Sequence, residues 1–214
     1  MRLYHGSKNG IEGAIGPKSR EICDFGVGFY TGDMEEQPMG LIASWNRSRF
    51  YELNCDLEGL SVLEFGDNYD DQIDWALYIG YHRMRELYDD YEKLRRRYED
   101  YDKKYDVIVG LIANDKIYEL MDEFFDGGLC DKALMEGLQR ARLGKQYAFK
   151  TESACRQLQI ISERGLTRDE IKRASVQNDN RKKQMSGIIG QLKTKYRRAQ
   201  DIKYYDEILE EWNA

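Results

Sequence analysis

The chain has 214 residues, of which 41% are hydrophobic and 34% charged, and its formal net charge is −6. This length suits one large domain, or one domain with an extension, and the apolar content is sufficient for a core. The acidic total argues against non-specific binding to nucleic acid. The N-terminus lacks a basic-then-apolar signal and no apolar run has membrane-spanning length, so we expect a soluble cytoplasmic protein.

The cysteines predict isolated thiols rather than a metal centre. No two of the 4 are spaced as a CxxC pair, and the chain has only 2 histidines to join them. We therefore expect no zinc site and buried, unpaired thiols. The cysteines are Cys23, Cys55, Cys130 and Cys155.

The N-terminal region contains two predicted strands joined by a glycine-rich connection. Residues 1–5 predict a short strand, and Pro17 excludes a helix interior from the connection. Residues 24–31 combine two glycines with Val, Phe, Tyr and Thr, which favour strands. The glycines indicate either a strand with a bulge or a flat ligand lying on bare backbone, with Tyr30 as its stacking platform. Both interpretations are open at this point.

Apolar and turn-forming residues divide the next region into helices and strands. Leu41, Ile42 and Trp45 recur at helical spacing, and Gly59 provides a turn between two strands. In chain order the predicted elements are a helix over residues 34–49, strands over residues 50–56 and 60–65, and a helix over residues 72–86.

The segment from residue 87 to 105 is highly charged and rich in tyrosine. Tyrosines at spacings of three and four place one aromatic face on a charged helix. Two interpretations stay open: a solvated helix or helical hairpin whose tyrosines are half-buried, or a face that binds a partner. The tyrosines are Tyr88, Tyr91, Tyr98, Tyr101 and Tyr105.

The second half of the globular region begins with a continuous apolar run. Residues 105–112 predict a buried central strand. Asn114 and Asp115 follow it, either as a helix cap or as the border of a pocket, and these roles are compatible. A helix is predicted over residues 117–125, ended by Gly127 and Gly128. A second helix over residues 131–142 and a strand over residues 144–150 follow. Residues 152–161 close the globular part.

The composition shifts after residue 162. Thr167 predicts a helix N-cap, and Glu170 completes a capping box. A second charged helix is predicted over residues 185–212. We therefore divide the chain into a domain of residues 1–162 and a charged helical extension of residues 163–214, which has to dock on the domain or on a partner.

Several short motifs occur in an order that is similar to a known superfamily. The chain resembles a bacterial family of uncharacterised domains within the ADP-ribosyltransferase superfamily, in its poly(ADP-ribose) polymerase-like branch. The resemblance covers roughly residues 1–162, with residues 84–104 as a charged helical insertion. The motifs are LYHGS at 3–7, DFGVGFYT at 24–31, Trp45 in a helix, YDVIVG at 105–110, ANDK at 113–116 and QYAFKT at 146–151.

This resemblance implies an α+β fold, an ADP-ribosyltransferase-like split β-sandwich of two small antiparallel sheets around a cleft that holds NAD, with flanking helices. It implies that His5 binds a ribose hydroxyl of the adenosine half, that the Gly6 backbone binds the nicotinamide carboxamide, and that Tyr30 stacks on the nicotinamide ring. The implied NAD-binding set also includes Ser7, Phe25, Gly28, Asn114 and Asp115.

Gln146 departs from the glutamate that better-known members carry at the third position. An amide can bind a hydroxyl, but it carries no negative charge and cannot act as a base. Without a replacement, the missing charge would lower the rate by about 10²–10³. Polymer elongation is therefore not expected, and Asp115 or Glu152 is a candidate for the missing acid.

Two functions from different classes follow from these observations. The first is a mono-ADP-ribosyltransferase with His5, Tyr30 and Gln146 as catalytic residues, NAD as co-substrate and a macromolecular acceptor. Such an enzyme would be a toxin or defence factor, with a neutralising antitoxin partner by analogy. The second is a module that binds NAD, ADP-ribose or a protein without turnover. A glycosidase or nuclease would need paired acids or a metal cluster, and the sequence spaces neither convincingly.

Overall fold

The computed structural model describes residues 1–83, 90–141 and 144–211, apart from the side chains of residues 177–183. These residues form a mixed α+β fold around one seven-stranded sheet. The strands are β1 (Arg2–Ser7), β2 (Phe29–Gly32), β3 (Arg49–Cys55), β4 (Val62–Glu64), β5 (Val107–Leu111), β6 (Lys145–Phe149) and β7 (Leu158–Arg164). The helices are α1 (Glu36–Ile42), α2 (Tyr69–Arg83), α3 (Tyr91–Tyr98), α4 (Asp115–Phe125), α5 (Asp131–Ala141), α6 (Glu152–Cys155), α7 (Arg168–Tyr196) and α8 (Tyr205–Glu211).

The sheet has the strand order β4-β5-β6-β2-β1-β3-β7. Its pairs are antiparallel except β4 and β5, which are parallel. The expected pair of small antiparallel sheets is therefore replaced by a single mixed sheet. Its two halves join where β1 meets β2, and the register there places Tyr4 opposite Gly32. The β1–β3 register, by contrast, runs the full length from Arg2 to Ser7.

Strand β5 is apolar throughout because both of its faces are covered by core residues. Val107 and Val109 lie in one core, whereas Ile108 lies in the other. Alternate residues of a strand point to opposite faces, so a strand between two cores has no polar face. The predicted buried central strand is confirmed.

The larger core lies between the sheet and a helical layer that includes the C-terminal helices. Helix α2 is buried from Gln72 to Gly80 except at Asp74, which is typical of a helix packed on several sides. Leu192 of α7 and Leu209 of α8 are fully buried in the same cluster as Trp75 of α2. The extension thus docks on the domain through the common core.

The helices of the C-terminal region are interrupted at other residues than predicted. Thr167 accepts a hydrogen bond from the Glu170 amide and the reciprocal bond is present, so the predicted capping box is confirmed. The single helix predicted over residues 185–212 is wrong, because α7 ends at Tyr196 and α8 begins at Tyr205. Between them the Lys203 amide donates to the buried Asp131 carboxylate, a tertiary contact that holds the chain away from helical geometry. Strand β7 also runs past the predicted boundary at residue 162, and the division into two domains stays a prediction.

The helix predicted over residues 34–49 is shorter in the structure. Helix α1 ends at Ile42, and Trp45 lies beyond it with 47% of its surface exposed. Leu41 is also exposed, so of the three predicted apolar positions only Ile42 is buried.

Two tyrosines of the charged segment pack inwards, against helix α2. Tyr98 is fully buried, and its hydroxyl donates to the Asp74 carboxylate at 2.5 Å. The Tyr101 hydroxyl donates to the same carboxylate at 2.7 Å. Residues 84–89, including Tyr88, lie outside the described residues.

Several predicted classes of site can be compared with the described part of the chain. Its four cysteines are free, and three of them are buried while Cys23 is partly exposed. Among the described residues no group of His, Cys, Asp or Glu side chains is arranged to hold a metal ion. Within those same ranges no helix is both long and apolar enough to cross a bilayer.

Candidate functional site

The glycine-containing stretch is a fixed loop rather than a strand. Only Phe29–Gly32 pairs as β2, and Gly26 has φ +69°, a left-handed conformation that breaks strand geometry. Side chains satisfy this backbone: the Phe25 amide donates to the Tyr30 hydroxyl at 2.9 Å, and the Gly28 amide to Ser19 Oγ at 3.0 Å. The predicted strand over residues 24–28 is wrong because these contacts replace strand pairing.

Tyr30 is held in one position by its own loop. Its hydroxyl donates to the Gly26 carbonyl at 2.7 Å, and its ring stacks on Phe25 with centroids 6.4 Å apart. Burial and the negative charge of Asp24 raise the pKa of Tyr30 well above its usual value. The phenol therefore stays neutral, and the partly exposed ring is a rigid apolar surface.

His5 lies across the junction of the two sheet halves from Tyr30. Its Nδ1 is 2.6 Å from the Tyr30 carbonyl oxygen, and its ring stacks on Phe29 with centroids 4.4 Å apart. A carbonyl only accepts, so Nδ1 carries the proton. Burial lowers the pKa of His5, so the ring is neutral at pH 7 and Nε2 has a lone pair suited to a sugar hydroxyl.

Gln146 is 5% exposed, at the start of β6, and it is bonded to an acid. Its Nε2 donates to Asp24 Oδ2 at 2.8 Å and to the Leu111 carbonyl at 3.1 Å. These two acceptors fix the amide orientation with nitrogen inward.

Asp24 accepts hydrogen bonds from several side chains of the site. Besides Gln146, it accepts from Arg83 Nη1 at 2.9 Å and from the Tyr118 hydroxyl. The Arg83 guanidinium in turn lies 3.7 Å from the centroid of the Tyr118 ring. Burial raises the pKa of Asp24 to about 6, although Gln146 and Arg83 act in the opposite direction.

Two adjoining cavities share Tyr30 in their walls. One, of about 520 Å³, is also lined by Asp24 and Gln146, and its size falls within the roughly 300–1,000 Å³ of small-molecule pockets. The other, of about 300 Å³, is lined by His5 and Gly28. The structure therefore brings the three predicted catalytic residues to two neighbouring cavities that share Tyr30, not into a single one.

Besides His5, Gly28 and Tyr30, three further predicted binding residues line these cavities. Ser7 lines the smaller one, and its Oγ donates to the Gly10 carbonyl at 2.8 Å. Asn114 and Asp115 line the larger one at the start of α4, where the Asn114 side chain accepts from the Lys116 and Ile117 amides. Asn114 is thus a helix cap and part of the cavity wall at once.

Other predicted residues have structural explanations. Phe25 is fully buried in the core, where its ring stacks on Tyr30, and it does not line either cavity. A Cβ on Gly6 would lie 2.5 Å from the Pro38 carbonyl oxygen, so this glycine allows α1 to pack on β1. Gly28 allows a close approach to the Phe149 carbonyl. Glu152 begins helix α6 and does not line either cavity.

Sequence reasoning missed Asp24 as the acid beside Gln146 and proposed Asp115 or Glu152 instead. The two partners are 122 residues apart in the chain, so no local pattern joins them. The available signal was an acid at the first position of the DFGVGFYT motif, directly before the loop that holds Tyr30.

The region that builds both cavities coincides with a known family. A family model described as Protein of unknown function (DUF3990) matches residues 1–160. The chain belongs to this family. Comparisons with curated proteins and with solved structures gave no match. Among the described residues, those that line the two cavities fall within the DUF3990 match, whereas α7 and α8 follow it.

Proposed function

We propose that this protein is a mono-ADP-ribosyltransferase that uses NAD as co-substrate to modify a macromolecule. The observation that carries the proposal is Tyr30, a rigid neutral tyrosine that lines both the cavity of His5 and the cavity of Gln146 and Asp24. On this proposal the DUF3990 domain is a branch of the ADP-ribosyltransferase superfamily.

The proposed reaction breaks the bond between the nicotinamide nitrogen and ribose C1′. The bonding electron pair leaves with the ring, which becomes neutral nicotinamide, and C1′ passes through an oxocarbenium-like state. A nucleophile of the acceptor then bonds to C1′ and loses its proton, so the products are ADP-ribosyl acceptor, nicotinamide and a proton. The protein has to hold the flat leaving group and stabilise the cation.

The geometry suits these tasks in three ways. The Tyr30 ring gives a flat surface of fixed orientation for nicotinamide. His5 is neutral, with Nε2 available as an acceptor for a ribose hydroxyl. Gln146 is anchored by two hydrogen bonds, so its position is set before a ligand binds.

The sheet topology also supports this proposal. The groups β4-β5-β6-β2 and β1-β3-β7 meet at the junction of Tyr4 and Gly32. A split β-sandwich would divide at this junction, and His5 and Tyr30 lie beside it.

The direct test is incubation of the protein with NAD labelled on the adenylate phosphate, together with cell lysate. We expect label on a macromolecule and an equal amount of released nicotinamide. Tyr30→Ala removes the proposed platform and is expected to lower both by about 100-fold or more. Tyr204→Ala, which changes a partly exposed tyrosine remote from the cavities, is the matched control and is expected to act like wild type.

The enzyme proposal fails if wild type releases no nicotinamide and labels nothing, or if Tyr30→Ala and wild type behave alike. Circular dichroism of each variant separates loss of the ring from loss of the fold. A labelled target would then identify the acceptor and show whether the enzyme acts as a toxin or defence factor with a neutralising partner.

One observation favours a second candidate, a binding module without turnover. Gln146 carries no charge, and its nitrogen is already bonded to Asp24 and Leu111. Calorimetry distinguishes the two: stable NAD binding without nicotinamide release supports the module.

A further inference from the structure

A buried carboxyl group lines the larger cavity directly beside the Gln146 amide. Asp24 is 9% exposed, and its Oδ2 lies 2.8 Å from Gln146 Nε2. An acid at this distance places a carboxylate within hydrogen-bond reach of the Gln146 amide, in the same cavity wall.

The surroundings hold the Asp24 side chain in one orientation. Arg83 and Tyr118 both donate to Oδ1, from α2 and α4, while Gln146 donates to Oδ2 from β6. Three elements thus converge on a residue of the loop that leads into β2, the strand that carries Tyr30. An acid that served only to pair with Arg83 would not need the other two donors.

We infer that the Asp24 carboxylate supplies the negative charge that Gln146 lacks and acts directly on the ribose of NAD. This inference rests on the proposed function. It assigns the charge to Asp24 and the hydroxyl-binding role to Gln146, so one glutamate is replaced by two residues.

The reaction gives the carboxylate two tasks. As the C1′–nitrogen bond breaks and its electron pair leaves with nicotinamide, the Asp24 carboxylate stabilises the cation on the ribose. When the acceptor nucleophile bonds to C1′, its proton passes to the Asp24 carboxylate and then to water. Every charge is balanced without a metal or a redox partner.

Asp24 has to be ionised for both tasks, so activity should fall in acid. Among the described residues, the charged or titratable groups that share its cavity are Arg83 from α2, Tyr118, Asp115 and Lys116 from α4, Tyr30 from β2, Glu36 from α1, and Arg20 and Cys23 from the loop before it. Arg83 lowers the pKa of Asp24, whereas burial raises it to about 6. The acid limb of kcat/KM, which reports the free enzyme, is therefore expected near this pH.

The test measures nicotinamide release from NAD between about pH 5 and pH 9 in four proteins. Asp24→Asn is expected to lower kcat/KM by about 10²–10³ and to remove the acid limb. Its dissociation constant for NAD, measured by calorimetry, is expected to stay within about threefold of wild type, because the lost interaction acts in the transition state.

Two further variants keep the test decisive. Asp131→Asn is the matched control, because Asp131 is also a buried carboxylate that accepts from a tyrosine, Tyr69, but lies away from both cavities. Its kcat/KM and acid limb should match wild type. Arg83→Gln removes the cation beside Asp24 and should move the acid limb to higher pH.

The outcomes separate this inference from the proposed function. If wild type turns over NAD while Asp24→Asn keeps its rate or its acid limb, only the role of Asp24 is overturned. If Asp24→Asn does not fold, an unmoved acid limb in Arg83→Gln overturns that role. If wild type does not turn over NAD, both proposals fall.

Discussion

At the scale of single residues, the site depends on side chains that hydrogen-bond to the backbone and to one another. The Tyr30 hydroxyl closes the loop at Phe25 and Gly26, and Asp24 collects donors from three other elements. Such a network fixes geometry, but it leaves a carboxyl group in a poorly solvated position. The stability of the protein should therefore depend on the protonation of Asp24.

The first prediction concerns that dependence. The folded-state pKa of Asp24 is raised from 3.8 to about 6, so folding binds its proton more tightly than the unfolded chain does. The resulting stabilisation is full below pH 3.8 and is lost as pH rises through about 6. At about 1.4 kcal/mol per pH unit, the free energy of unfolding of wild type relative to Asp24→Asn should fall by about 2–2.5 kcal/mol between about pH 4 and pH 7.

Urea denaturation at several pH values measures this difference. Other carboxylates titrate equally in both proteins, so the comparison isolates position 24. A difference that is constant with pH would show that the Asp24 pKa is not raised.

At the scale of elements, the packing of α1 on β1 explains a glycine that the motif alone assigns to ligand binding. An added Cβ at Gly6 would lie 2.5 Å from the Pro38 carbonyl oxygen and 2.9 Å from Ile42 Cγ2. Both contacts come from α1, whose residues Gln37 and Leu41 line the larger cavity. Moving α1 outward would therefore change the cavity as well as the core.

The second prediction follows from that contact. Gly6→Ala should destabilise the protein by about 1–3 kcal/mol, because backbone atoms of α1 have to shift. Gly187→Ala is the control: Gly187 is exposed in α7 with nothing near its absent Cβ, so alanine should stabilise by up to about 1 kcal/mol. Thermal unfolding of both variants checks the pair, and equal effects would contradict the close packing of α1 on β1.

At the scale of the whole molecule, the C-terminal helices complete a core that begins in the DUF3990 region. The family match ends at residue 160, yet side chains beyond it are buried against α2, α4 and α5. Examples are Met185, Leu192, Tyr205 and Leu209. Each buried side chain of this size contributes about 1.5–3 kcal/mol, which is large compared with a total stability of about 5–15 kcal/mol.

The third prediction is that residues 1–166 alone do not form a stable cooperative unit. Their unfolding transition should be broad, or its midpoint should lie at a much lower denaturant concentration. The reason is that truncation exposes the faces of α4 and α5 that bind α7. Within the full chain, Leu192→Ala should cost about 2–5 kcal/mol, while Leu41→Ala, at a leucine 58% exposed, should change stability by less than about 0.5 kcal/mol.

A truncated chain that unfolds cooperatively at the midpoint of the full chain would contradict this prediction. It would instead support residues 163–214 as a separable domain. The same protein would also show whether NAD turnover needs the extension.

The features that sequence alone determined are those whose physical cause lies within a few residues. The Thr167–Glu170 capping box joins side chains three positions apart, the end of α4 depends on the left-handed Gly127, and the apolar run of β5 records burial on both faces. The motifs around His5, Tyr30 and Gln146 could likewise be recognised, because each is a short contiguous segment of sequence.

Tertiary structure decided the features whose partners are distant in the chain. Asp24 binds Gln146, which lies 122 residues away in the chain. Residues 24–28 form a loop rather than a strand because Tyr30 and Ser19 bind their backbone. The predicted C-terminal helix is interrupted where Lys203 binds Asp131, 72 residues away. Sequence spacing cannot encode such contacts, because the free energy that selects them arises only when separate elements have packed together.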